Sequence, residues 1–218
     1  FYDWEDFDAQ GRLKSSLPKT TFGAIQPGDI KYRDINGDDV IDENDQTIIG
    51  DSYLPKLQYS FSISLSWKGI DVFALFQGAA GRDVNLLDAP IQNIAFRDNG
   101  NVYKIAEGRW AYYPEQGIDT RATATYPRLS LQDNSNNYIT STLWKRSGDY
   151  LKLRNVEIGY TFSMPKLQKA GISKLRVYLC GVNLLTVSEL MRDYSIDPEL
   201  LSGHTALKSY NLGLNIVF

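Results

Sequence analysis

The strongest pattern along the chain runs from Gln58 to Gln77, QYSFSISLSWKGIDVFALFQ. Tyr59, Phe61, Ile63, Leu65 and Trp67 alternate with Ser60, Ser62, Ser64 and Ser66. A period of two puts the apolar set on one face of a strand and the hydroxyls on the other. Lys68-Gly69 reads as a two-residue hairpin turn, with Gly69 supplying a positive φ at no steric cost. Closing the hairpin there pairs Trp67 with Ile70, Leu65 with Val72, Ile63 with Ala74 and Phe61 with Phe76, apolar on both sides each time. A soluble sandwich and an outer-membrane barrel both alternate in this way. The arms reach the roughly ten residues that cross hydrocarbon at a ~45° tilt, whereas ordinary strands cluster near five or six. Arm length, aromatics towards the ends of the apolar face and the serine face opposite favour the barrel.

Alternation elsewhere brings the expected strands to five: Leu57–Trp67, Ile70–Gln77, Asp149–Phe162, Lys174–Leu185 and Lys208–Phe218. Parity changes within the third at Arg154-Asn155, which predicts a bulge. A short strand is also expected at Ile30 to Arg33. Gly78 to Gly148, with DNGN, YYPE and NSNNY, and Thr186 to Leu207 read as long loops. A stretch of about seventy irregular residues is too long for a compact domain's connection and suits the extracellular loops of a barrel. Connections then alternate tight, long, modest, long. With the long ones outside, the strands run down, up, down, up, down, and Phe218 ends on the periplasmic side. A terminal aromatic on an amphipathic strand is similar to the C-terminal signal that barrel assembly reads.

Five strands cannot close a barrel, for which about eight is the minimum and bacterial chains use even numbers. The chain opens on FYDWEDFD without an initiator Met. The expectation is therefore an all-β chain: the C-terminal antiparallel strands, about five, of a large transmembrane β-barrel. Residues 1–56 form an extracellular loop region, and residues 57–218 hold the barrel strands with their long extracellular loops.

Composition narrows the chemistry. The 218 residues carry 23 basic and 26 acidic side chains, a net charge of −3, and no basic patch of the kind nucleic acid requires. No apolar run approaches the ~20 residues of a membrane helix. A single cysteine, Cys180, excludes an internal disulfide framework and a cysteine metal cluster, and the lone His204 sits in a loop-like SGHT. An enzyme such as a glycosidase needs two carboxylates at a defined separation. The acids here concentrate in one loop, so no enzyme is expected. Fourteen tyrosines, nine phenylalanines and four tryptophans suit strands, interfacial girdles or sugar platforms. Trp110, Tyr112, Tyr113 and Trp144 are the candidate ligand-contact aromatics of the long loop, and Tyr2, Trp4 and Phe7 are others near the start. Packing within a folded loop is the alternative for each.

The acid-rich loop is DINGDDVIDEND, Asp34 to Asp45. Asp34, Asn36, Asp38, Asp42 and Asp45 place side-chain oxygens at loop positions 1, 3, 5, 9 and 12, and Val40 offers its carbonyl at position 7. This is the EF-hand spacing for Ca²⁺, a hard cation that takes six to eight oxygens. Ile41 at position 8 can anchor the loop to a core. Position 6 is Asp39 where Gly is usual, position 12 is Asp rather than a bidentate Glu, and no helical pattern flanks the loop. The expectation is a structural Ca²⁺ clip, against a solvated acidic turn.

Four blocks in order, PGDIKYRDINGDDVIDENDQTIIGD, LPKLQYSFSISLSWKGIDVFALFQG, STLWKRSGDYLKLRNVEIGYTF and LRVYLCGVNLLT, together resemble the C-terminal region of the SusC/RagA family of TonB-dependent outer-membrane transporters. The resemblance implies a barrel of roughly 22 strands plugged by an N-terminal domain. It implies import of oligosaccharides or peptides under a SusD-like surface lipoprotein lid. The inner-membrane TonB complex would drive import through a part not contained in these residues. The family's block usually carries Gly where Asp39 stands, which bears on cation binding. Against this stands a soluble β-rich carbohydrate-binding module with a structural calcium, separable by its independence of detergent.

Overall fold

The computed structural model describes residues 1–88, 94–96, 100–131, 134–162, 171–201 and 206–218. Asp98 and Asn99 of DNGN, Pro165 in the expected modest turn between the third and fourth strands, and His204 lie outside the described residues. Contacts gather the chain into two units, one from Phe1–Gly50 with Asn85–Arg146, the other from Asp51–Val84 with Ser147–Phe218.

The second unit holds a five-stranded antiparallel sheet. Its strands are β1 (Leu57–Trp67), β2 (Ile70–Ala80), β3 (Tyr150–Phe162), β4 (Lys174–Val187) and β5 (Ser209–Val217). Each strand lies beside its neighbour in sequence, the up-and-down order of a barrel wall. Lys68 and Gly69 both take positive φ, 47° and 85°, as a two-residue turn matched to strand twist demands. The register is the one the alternation requires, from Trp67 opposite Ile70 to Phe61 opposite Phe76. The expected bulge is present: Asn155 pairs with Leu75 and Leu153 with Phe76, leaving Arg154 as the extra residue.

β3 and β5 each begin one residue later than expected, at Tyr150 and Ser209, with β5 ending at Val217, and two other strands run past their expected ends. β2 runs on from Gln77 to Ala80, because Gly78 does not end the strand but lies under the Tyr59 ring, where a Cβ would come within 2.4 Å. β4 continues to Val187, where Thr186 and Val187 still pair with Lys152 and Leu151. Beyond it the supposed loop contains a π-helical turn, Leu190–Tyr194.

The register lines up one uncharged face. It carries Tyr59, Phe61, Ile63, Leu65 and Trp67 on β1, Ile70, Val72, Ala74 and Phe76 on β2, Val156, Ile158 and Tyr160 on β3, Leu175, Val177 and Leu179 on β4, and Tyr210, Leu212, Leu214 and Ile216 on β5. These side chains are left open rather than packed: Leu65 is 63% exposed and Leu212 78%. Aromatics flank the aliphatic middle. Trp67, Tyr160 and Phe162 stand at the turn end; Tyr59, Phe61, Phe76 and Tyr210 stand towards the other. Phe61 and Phe76 stack at 4.8 Å between centroids. The opposite face is mainly polar: it carries the serines of β1, with Phe73 and Leu75 across from Ser64 and Ser62, and a cross-strand cluster in which Arg176 binds Asp71 and, at 2.6 Å, Glu157.

The first unit is irregular in secondary structure yet has its own core of Tyr2, Ile30, Ile41, Leu86, Trp110 and Trp144. Its hub is Asp29, fully buried, which accepts from Arg128 Nε at 2.7 Å, Asn134 Nδ2 at 2.8 Å, Asn137 Nδ2 at 2.9 Å and the Gln26 N–H at 2.7 Å. Residues 30–33 do not form the expected strand. The Ile30 N–H donates to Asn137 Oδ1 and its carbonyl accepts from Asn136 Nδ2, so side-chain amides replace a neighbouring strand. Gly28 is required beside the hub: φ is 90°, and a Cβ would meet the Trp110 ring at 2.5 Å.

Candidate functional site

Val40–Ile41 pairs in parallel with Lys19–Thr20, and Ile41 is buried, so the acidic loop is tethered where the sequence indicates. Asp39 adopts φ 62°, the left-handed conformation that Gly usually supplies at position 6. Asp34 accepts from the N–H groups of Gly37 and Asp39, Asp38 from Val40, Asp42 from Asn44, and Asp45 from Ile35 and Asp42. The Ile35 and Asp42 amides hold the Asp45 carboxyl below its ordinary range. The candidate donors are all oxygens, the atoms that Ca²⁺ takes. The carboxylates themselves act as caps on the loop's own amides, and among the described residues no three His, Cys, Asp or Glu side chains converge as a metal cage.

The four candidate aromatics divide. Trp144 is buried, donates from Nε1 to the Asn137 carbonyl at 2.8 Å and meets the Tyr126 ring edge-on. Trp110 is buried over Gly28. Both are packing residues, because their rings supply the apolar bulk of a unit with little regular structure. Tyr112 and Tyr113 sit on a small hairpin with Ile118–Asp119. The Arg121 guanidinium covers the Tyr112 ring at 3.9 Å while pairing with Asp119, so Tyr113 presents the exposed ring. Tyr2 and Phe7 are buried against each other, and Trp4 is exposed.

A cluster that sequence reasoning missed lies on the polar face of the sheet, at the end away from the Lys68-Gly69 turn. Lys152, 2% exposed, donates to Asp197 Oδ1 at 2.7 Å and Glu199 Oε2 at 2.6 Å. Arg154, turned to this face by the bulge, binds Glu199 and donates to Gln77 Oε1 at 2.9 Å. Tyr150 completes it through a 2.8 Å bond to Glu199 Oε1. The signal was in YLKLR, where alternation puts Lys152 with Tyr150 on one face, but its partners are far along the chain. Burial opposes the Glu199 charge, yet hydrogen bonds from Lys152, Arg154 and Tyr150 hold its carboxyl down at about 2. Because the folded value lies below the unfolded one, this stabilisation is present above ~4.5 and is lost as pH falls towards ~2. Protease resistance of the Glu189–Leu201 segment is expected to hold at pH 5 and fall between pH 4 and 2, measured by pepsin cleavage; a Glu199→Gln protein should lose that step.

A membrane-length antiparallel sheet with one uncharged, girdled face and one polar face defines the wall of an outer-membrane barrel. The chain is 32% identical to TonB-dependent receptor P26 of Formosa agariphila over 195 residues, 89% of this chain and 18% of that protein. To TonB-dependent receptor P3 of the same organism it is 29% identical over 181 residues, 83% of this chain and 16% of that one. No family model matches. Among solved structures, the RagAB peptide importer in its closed-closed state superposes with TM-score 0.57 at 21% identity, covering 99% of this chain and 20% of that one. In the open-open state the TM-score is 0.54 at 22% identity, covering 82% and 19%. The chain thus spans a fifth or less of the length of the relatives it matches. It is related in sequence to TonB-dependent receptors, and its sheet has the fold of part of an outer-membrane transporter barrel. Its location is the outer membrane, and its relatives are receptors and transporters rather than enzymes.

Proposed function

We propose that the protein containing this chain imports oligosaccharides or peptides across the outer membrane, beneath a SusD-like lipoprotein lid and driven by the TonB complex acting on a plug. The observation that carries this reading is the girdled sheet, which makes this piece a wall between lipid and a polar interior, in a chain whose relatives are named TonB-dependent receptors. The RagAB structures named for a peptide importer support a large-solute cargo. The test deletes and restores the full-length gene in its native host and follows uptake of labelled oligosaccharides and peptides, with and without TonB. Uptake that needs both supports the proposal. Uptake of either cargo independent of TonB, or of neither, would overturn it, and affinity purification of the intact transporter would reveal a lipoprotein lid.

Calcium belongs to the same reading. Asp34, Asn36, Asp38, Val40, Asp42 and Asp45 would supply the oxygens, supported by their spacing and by the left-handed turn at Asp39. In the purified full-length protein, millimolar Ca²⁺ is expected to slow tryptic cleavage at Lys31 and Arg33 relative to chelator, and an Asp34→Ala protein should lose the difference. Identical cleavage in both conditions would leave the loop a solvated acidic turn.

A further inference from the structure

We propose that the segment from Ser188 to Leu201 is a strap latched across the interior face of the barrel wall by Lys152 and Arg154, bounding the outer mouth of the passage. This rests on the importer reading for what the polar face lines. Polar-face residues Tyr150, Lys152 and Arg154 belong to β3, whose apolar partners Leu151 and Leu153 face the other way. Short turns lie on the periplasmic side of such barrels and long loops outside. The end of β3 that holds Lys152 is opposite the Lys68-Gly69 turn and is therefore the outer end.

The strap is folded, not merely connected. Leu190 and Pro198 are fully buried, the Leu190–Tyr194 turn ends on Ser195 at φ 60°, and the Ile196 N–H returns to the Leu190 carbonyl at 3.1 Å. Asp197 also accepts from the Glu199 N–H at 3.0 Å, which fixes both carboxylates towards the wall. Two cations from the wall meet two carboxylates from the strap, and Lys152 and Asp197 are 2% and 4% exposed at their side chains. Charges withdrawn from water to that degree hold their segment only while paired. Arg192, on the strap but outside the latch, is 73% exposed and offers a tryptic site that is cut only when the turn opens.

The test uses the full-length protein in its native outer membrane. Trypsin added to intact cells should cut slowly at Arg192 in the natural protein and in Lys152→Arg. In Asp197→Asn/Glu199→Gln the rate should rise roughly tenfold or more. Equal rates would overturn the latch while leaving the importer reading intact. Cleavage that appears only after the membrane is permeabilised would instead overturn the orientation on which both rest. Should the double variant fail to assemble, hydrogen exchange on purified Glu199→Gln decides: the Arg192, Ile196 and Leu200 amides, bonded within the strap, are expected to exchange roughly tenfold faster. Unchanged exchange there would count against the latch.

Discussion

Replacing Asp29 by alanine is expected to destabilise the unit built from residues 1–50 and 85–146 by about 3 kcal/mol, the lower end of the ~3–5 kcal/mol that follows from breaking a buried ion pair. The lower end applies because the Arg128 side chain is 21% exposed and can turn towards water once its partner is gone. Asn134 and Asn137 are buried and have no such exit from the hub, and each loses its acceptor on a fully buried carboxylate. Trp144 reports on the same place, since its indole donates to Asn137. A urea titration of the full-length protein in detergent, followed by tryptophan emission, should show an early transition at lower urea in Asp29→Ala. Asp8→Ala, which removes an exposed pair with Arg12, should leave that transition where it was. An unmoved transition in Asp29→Ala would mean that the hub does not hold the unit together.

Ile63→Arg is the second large effect. Ile63 lies midway between Tyr59 and Trp67 on the uncharged face, opposite Ala74. A guanidinium at the bilayer midplane costs ~2–4 kcal/mol, falling towards the interfaces. Ser62→Arg, one residue away, points to the polar face and should fold nearly as the natural protein does. Folding of the full-length protein into lipid vesicles, titrated with urea, compares the two. A penalty for Ser62→Arg as large as that for Ile63→Arg would reverse the assignment of faces. Leu65→Arg, nearer Trp67, should fall between.

The sheet was legible in the sequence because its information is local. A strand's faces follow from parity, a two-residue turn fixes the register, and membrane strands are long enough for the alternation to be read without ambiguity. The turn at Lys68-Gly69, the pairing from Trp67–Ile70 to Phe61–Phe76 and the bulge at Arg154 all belong to that class. So does the anchoring of the acidic loop through Ile41, the buried member of an apolar pair in an acid-rich run.

What only the tertiary structure decided rests on partners far apart in the chain. Parity cannot say that Trp110 and Trp144 are buried, that Asn136 and Asn137 of NSNNY serve as the backbone partners of Ile30, or that Asp29 gathers residues from a hundred positions away. Nor can it join Lys152 to Asp197 and Glu199. Side-chain amides and buried charges carry no periodic signature. Their hydrogen bonds are satisfied by whichever segment the fold brings alongside, so alternation determined the wall of this protein, and three-dimensional packing alone decided how its long connections fold and which charges hold them.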